Sequence, residues 1–343
     1  MVGVGDKMYP AVIAVLAGIA IAVLLFVPFV AGEYRSRGRL PLRRLLLWLG
    51  SLVYAMALWT YTLLPLPDPA DIRCVAPQLV PGQFVLDILT YDVSSAGALL
   101  RNPAVQQVVL NVALFAPMGF LLRALWNRGV VVATSAAFAT SLLIEVTQLT
   151  GIFGLYGCAY RLFDVDDLLA NTVGGLLGAL IARLLIRPHG ERAVALPDTV
   201  TAGRRLLVML SDAITVLLLG GAAGVGARMA QLWLPGVPDV LRDESVADAA
   251  AFAVPFLAVG VVALVTGRTI GDHAVRVAYE PRHSRPVDGM LRYLAGIGGF
   301  QLLGLLGGLD GLFALVSLIL VFTTRDRRGL PGLLLRRTIH PVR

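Results

Sequence analysis

RLFDVDDLLANTVGGLLGALIARLLI, residues 161–186, is the stretch on which the fold turns. It opens polar and becomes apolar. Asp164 or Asp166 stands where a helix N-cap is favoured, and the helix dipole favours carboxylates in the first turn. Asp164, Asp167 and Asn171 step by three and four residues and so share one helical face. Gly174 and Gly178 continue as a small-xxx-small face suited to close helix contact. The run 165–186 reaches the roughly 20 mostly apolar residues that a bilayer crossing needs, and Arg183 and Arg187 close it.

The rest of the chain has the same character. Of 343 residues, 57% are hydrophobic and 15% charged, with mean hydropathy +0.78. Soluble domains run at about 45–50% apolar and about 25% charged, so a soluble enzyme is excluded, and intrinsic disorder with it. What remains is an all-α, multi-pass transmembrane helical bundle in a lipid bilayer. The net charge is +7 and Lys7 is the one lysine. Arginines at helix ends account for that charge without a nucleic-acid partner.

Apolar runs at about 10–31, 45–66, 107–125, 129–150 and 165–186 form a first group of five spans. A polar linker, 187–203, is the best domain boundary and divides the chain into 1–190 and 200–343. Runs at about 206–226 and 249–266 follow. The last stretch, 290–323, is too long for one span, and Gly307, Gly308, Asp310 and Gly311 offer a turn. Nine crossings, five plus four, are expected, with the last two either short spans or a re-entrant hairpin. Pro117 is expected to kink the third helix. The loops at 33–44, 123–128, 187–205 and 267–292 are arginine-rich and alternate with acidic ones. The positive-inside rule then puts the N-terminus outside and the basic C-terminal tail in the cytoplasm.

In that topology the polar exceptions cluster. Asn111 begins the third span, Glu145 and Gln148 end the fourth, and Arg161, Asp164, Asp166, Asp167 and Asn171 lead into the fifth. All fall at one membrane depth on the outer side. Ionisable residues in spans mark function by default. The set reads as a ligand-binding site or as a structural network in which Arg161 pairs with a carboxylate. An enzyme using Glu145 and Asp167 as an acid/base pair is the further option. No nucleophile with a neighbouring base, no metal-ligand spacing and no cofactor motif accompanies them. Cys74 and Cys158 both map to outer loops, where disulfides form. A bond between them would tie the long loop 67–106 over the cluster; the alternative is two unrelated small residues.

NVALFAPMGF at 111–120, IEVTQ at 144–148 and RLFDVDDLLANTVGGLLG at 161–178 resemble, in order, the polar elements of the VanZ-like family. The resemblance covers roughly 40–188. It implies a bacterial multi-pass membrane protein of a family whose founding member confers teicoplanin resistance. A lipid-linked cell-wall precursor or glycopeptide is then the implied partner. AGRRLLVMLSDAI at 202–214, GRTIG at 267–271 and TTRDRRGLPGLLLRRT at 323–338 resemble the RDD family, with Arg205 and Asp212 at the matching spacing. That family's final aspartate, expected near Gly332, is absent, as is its usual basic residue at the position of Asp272. A transport role is suggested for some RDD proteins. Asp212, two turns from Arg205, needs a partner inside the membrane, and Arg205 or Arg268 is the candidate; the pair is a structural bridge or part of an ion path.

Overall fold

The computed structural model describes residues 4–64, 66, 68, 72–186, 199–233, 238 and 243–342. It is helical, with one two-stranded sheet. In chain order the elements are α1 (Val4–Arg37), α2 (Leu42–Leu63), α3 (Gln83–Leu89), α4 (Ala96–Arg101), α5 (Pro103–Trp126), α6 (Val130–Leu149), a single turn α7 (Gly151–Gly154) and α8 (Val165–Leu185). Then come α9 (Ala202–Trp233), α10 (Glu244–Thr266), α11 (Ile270–Ala274), β1 (Val277–Tyr279), α12 (Arg285–Leu294), α13 (Ile297–Gly304), α14 (Leu309–Thr323), α15 (Gly329–Leu334) and β2 (Ile339–Pro341).

Seven helices among the described residues are long and apolar enough to cross a membrane: α2, α5, α6, α8, α9, α10 and, within α1, Ala11–Arg37. Their outer faces leave Leu16, Leu184 and Leu217 more than half exposed. Such faces are costly in water and ordinary in lipid. The chain is therefore a multi-pass membrane protein. The stretch 290–323 does not form two full spans. It folds into the end of α12 and a hairpin of α13 and α14, 8 and 15 residues long. At 1.5 Å per residue neither arm reaches the roughly 30 Å of a hydrocarbon core. Gly307 and Gly308, both at positive φ, make the turn between them. Pro117 does not interrupt α5, which runs through it from Pro103 to Trp126.

The chain divides into two compact units, Met1–Ala22 with Leu42–Gly190, and Val23–Pro41 with Glu191–Arg343. The second part of α1, counted with the first domain on sequence, thus groups with the second unit. There the Tyr34 ring lies 5.1 Å from the Arg204 guanidinium. Of the linker 187–203, residues 187–198 lie outside the described residues.

In the first unit α8 packs on α5 and α6. A β-carbon on Gly174, Gly178 or Gly119 would collide with a backbone carbonyl across the α5–α8 contact, that of Val112, Ala116 or Gly175 respectively. Only a missing side chain lets the two backbones meet this closely. Beside the contact, Leu58, Phe115, Ala137 and Ile144 form a buried cluster. In the second unit α10 packs on α9, and Val259, Ala263, Tyr293 and Ile297 form the core. β1 pairs antiparallel with β2, Ala278 opposite His340.

Gly178→Leu is expected to force α5 and α8 apart and destabilise the protein by about 1–3 kcal/mol or more. The readout is the thermal midpoint of the purified full chain in detergent. Gly221→Ala, at a helical position with open space around it, should leave the midpoint unchanged or slightly higher. Equal midpoints for Gly178→Leu and wild type would contradict the packing account.

Candidate functional site

The polar residues of 111–171 meet at one end of the first unit, where α2 and α6 finish and α5 and α8 begin. Asp164 caps α8, its carboxylate accepting the Asp166 N–H at 2.8 Å. Glu145, buried near the end of α6, accepts the Asp164 N–H at 3.0 Å. Asp167 Oδ1 accepts from Gln107 at 3.0 Å and from Asn111 at 2.5 Å, both on α5. One turn deeper, Asn171 donates to Ser141 Oγ at 2.9 Å. Ser141 and Glu145 are a turn apart on α6, as Asn171 and Asp167 are on α8. The Asn171–Ser141 bond thus ties α8 to α6 one turn below the bond from the Asp164 N–H to Glu145.

Arg161 does not pair with a carboxylate among the described residues. Its guanidinium donates to the carbonyls of Thr62 and Leu64, each at 3.0 Å, and so completes the end of α2. Gln148 donates to the same Thr62 carbonyl at 2.8 Å. Asp166 serves the long loop: it accepts the N–H groups of Gly82 at 2.7 Å and Phe84 at 2.9 Å, at the start of α3. Burial raises the Asp164 carboxyl above its ordinary range; the Asp166 N–H lowers it, and the Asp166 charge raises it again.

Cys74 and Cys158 are joined, Cα to Cα 5.6 Å. Next to the bond, 75–78 runs alongside 159–165, with Val75 N–H on the Ala159 carbonyl and Gln78 N–H on that of Phe163. The loop is thereby held against the end of the bundle. Gln78, Gln107, Ser141 and Asn102 were missed by sequence reasoning. Asn102 caps α5 through Ala104 N–H and donates to the Ile88 carbonyl. The Asn-Pro step at 102–103 is a helix-start signal that would have identified it. Ser141 sits one turn before Glu145 on the same face, the signal that would have found it. Gln78 lies in a loop with no periodicity, and nothing local marks it.

The hydrogen bonds leave acceptors over. Glu145 Oε1, Asp167 Oδ2 and the buried Asn171 Oδ1 receive no donor from the described residues. Nor does any cation within ion-pair distance face Glu145, Asp164, Asp166 or Asp167 among those residues. Asn171 Oδ1 is buried, where an acceptor is almost always paired. Together with the open oxygens of Glu145 and Asp167 it lets this end of the bundle take hydrogen-bond donors: hydroxyl, amide or ammonium groups.

In the second unit Asp212 is buried in α9. It accepts from Thr269 Oγ1 at 2.8 Å and Gly271 N–H at 2.6 Å, which pins α11 to α9. Its cationic neighbour is Arg292 at 3.9 Å, not Arg205 or Arg268. Arg205 instead lies 3.7 Å from Asp272, and Arg292 contacts Asp272 at 2.9 Å. Arg268 makes no ion pair or side-chain hydrogen bond with a described residue. Asp272 also closes a capping box with Thr269. Burial would raise its carboxyl, but the Arg292 and Arg205 charges bring it below the ordinary range. Arg292 was missed because 267–292 reads as a polar loop. A second buried pair joins Asp288 of α12 to Arg337 at 2.5 Å. Burial raises the Asp288 carboxyl, and the N–H groups of Arg282 and His283 together with Arg337 outweigh it, bringing it to about 2.

Residues 51–186, less than half of the chain, match the family model VanZ/LLP1. No curated protein and no solved structure matches the chain.

Two outcomes follow from these networks. Asp166→Ala should free the loop, at a cost of about 1 kcal/mol for the two half-buried N–H groups left unmet. Hydrogen exchange at Gly82 and Phe84 should quicken at least tenfold, and unchanged exchange would contradict the anchor. For Asp288, the folded value lies below the unfolded value of about 3.9. Its stabilisation is therefore complete above about pH 4 and fades as pH falls towards 2. Asp288→Asn should flatten that part of the melting-temperature profile; an unaltered profile would rule out the assignment.

Proposed function

We propose that the domain matching the VanZ/LLP1 model, residues 51–186, binds a donor-rich cell-envelope ligand, a lipid-linked wall precursor or a glycopeptide, at the disulfide-tied end of its bundle. By this binding it contributes to resistance against teicoplanin-type antibiotics. The observation that carries the reading is the set of unspent acceptors, Glu145 Oε1, Asp167 Oδ2 and Asn171 Oδ1, without a facing cation among the described residues. Sugars and peptides present many hydroxyl and amide donors, and glycopeptides add amines. Asn111 and Gln107 orient Asp167, while Asp164, Asp166 and Arg161 hold the surrounding backbone.

The site faces outward in this reading. Seven crossings with an external N-terminus return the chain to the cytoplasm before 267–292, and the α13–α14 hairpin leaves the basic tail there. The external position also suits the Cys74–Cys158 bond. The second unit is RDD-like by its motifs. Its Asp212 holds α11 in place, which favours a structural role over an ion path.

Antibiotic susceptibility of cells carrying Glu145→Gln or Asp167→Asn tests the reading, with membrane abundance measured in parallel. Loss of the resistance phenotype at normal abundance is expected. A phenotype unchanged in both variants would overturn it, and loss tracking abundance would assign these residues to folding. For sidedness, a membrane-impermeant thiol reagent should label Cys74 and Cys158 on intact cells after reduction. Labelling confined to broken cells would reverse the orientation.

A further inference from the structure

The second unit contains a cavity of about 230 Å³ among α9, α12, α13, α14 and α15. Its wall is apolar, with Met209, Phe300, Phe313 and Val321 among the contributors, apart from Arg205, Asp212, Arg292 and Ser317. Arg205 is 2% exposed, one of the largest fully buried side chains in the protein. Its guanidinium donates no hydrogen bond to any described residue, and Nε and Nη1 are buried without a partner. It has only a charge contact with Asp272 at 3.7 Å and the face of Tyr279 at 5.5 Å.

The neighbouring carboxylates are already committed. Asp272 is bonded by Arg292 and the Thr269 N–H, and Asp212 by Thr269 and Gly271. Arg204, the adjacent residue, spends its guanidinium on the carbonyls of Val275 and Arg276. Arg205 alone of these groups keeps its fork of five donors unspent at the wall of a cavity. Leaving buried donors unmet is costly, and a planar guanidinium fork matches a two-oxygen anion.

We infer that this cavity is a binding site for a small carboxylate with an apolar body, its carboxylate on Arg205 and its hydrocarbon part against the α13–α14 wall. The charges decide for a carboxylate over a phosphate. Arg205 and Arg292 are offset by Asp212 and Asp272, so a monoanion adds less uncompensated charge than the nearly doubly charged phosphate. At roughly 30 Å³ per heavy atom, the share of a liquid water, the cavity holds about eight, the size of hexanoate. The site is separate from the acceptor cluster of the first unit and does not depend on it.

Isothermal titration of hexanoate into the purified full chain in detergent tests the site. Saturable one-to-one binding is expected, at least tenfold tighter than that of hexan-1-ol or hexyl phosphate. Arg205→Met should weaken it tenfold or more. Ala314→Phe fills the cavity from its α14 wall and leaves Arg205 in place. It should abolish binding at a wild-type melting temperature, so the test stands even if Arg205→Met does not fold. Absence of saturable binding would overturn the inference, leaving water on the guanidinium. So would tighter binding of hexan-1-ol or hexyl phosphate, or affinity unchanged in Ala314→Phe.

Discussion

The backbone-to-backbone contact of α5 and α8 is the constraint on which the first unit depends. Lipid tails are as apolar as leucine, so burying leucine does little to bring two spans together there. Close approach through glycine does, because backbone atoms of one helix meet backbone atoms of the other. Gly119, Gly174 and Gly178 occupy positions where a β-carbon would meet a carbonyl of the opposite helix. The short distance between axes in turn lets Asn111 of α5 reach Asp167 of α8. With a wider separation, that hydrogen bond and the Gln107 bond beside it would not form.

At the end of this contact the carboxylates divide by what surrounds them. Asp164 and Asp166 are engaged by backbone N–H groups, one at the start of α8 and the other at the start of α3. Glu145 and Asp167 accept fewer bonds than their oxygens allow and face no cation among the described residues. Arg161, the nearest obvious counter-charge in the sequence, is spent on the carbonyls of Thr62 and Leu64. The same residue types therefore supply both the scaffold and the acceptors.

The fold class and most of the cluster were legible in the sequence. Span 165–186 appears as Val165–Leu185 and span 129–150 as Val130–Leu149, because apolar length and helix-end residues are local signals. The periodicity of Asp164, Asp167 and Asn171 likewise marked one face of α8. Three features were not legible. Gln78 meets Asp164 and Asp166 from 86 and 88 residues away, a distance at which no local pattern reports pairing. For Arg161, charge suggests a carboxylate as one alternative, while the helix-end carbonyls of Thr62 and Leu64 are the partners the fold brings to it. Arg292 sits in a short amphipathic helix within a polar stretch, and it is buried against Asp272 of α11, Asp212 of α9 and the Tyr279 ring, residues distant in sequence.

The central claim is that the acceptors around Asp167 serve a ligand rather than only the fold. Equilibrium binding of labelled teicoplanin, and separately of a lipid-linked wall precursor, to the full chain in lipid nanodiscs tests it most directly. Saturable binding of at least one of the two is expected, weakened tenfold or more by Asp167→Asn at an unchanged melting temperature. No saturable binding of either, or equal affinity in wild type and Asp167→Asn, would contradict it.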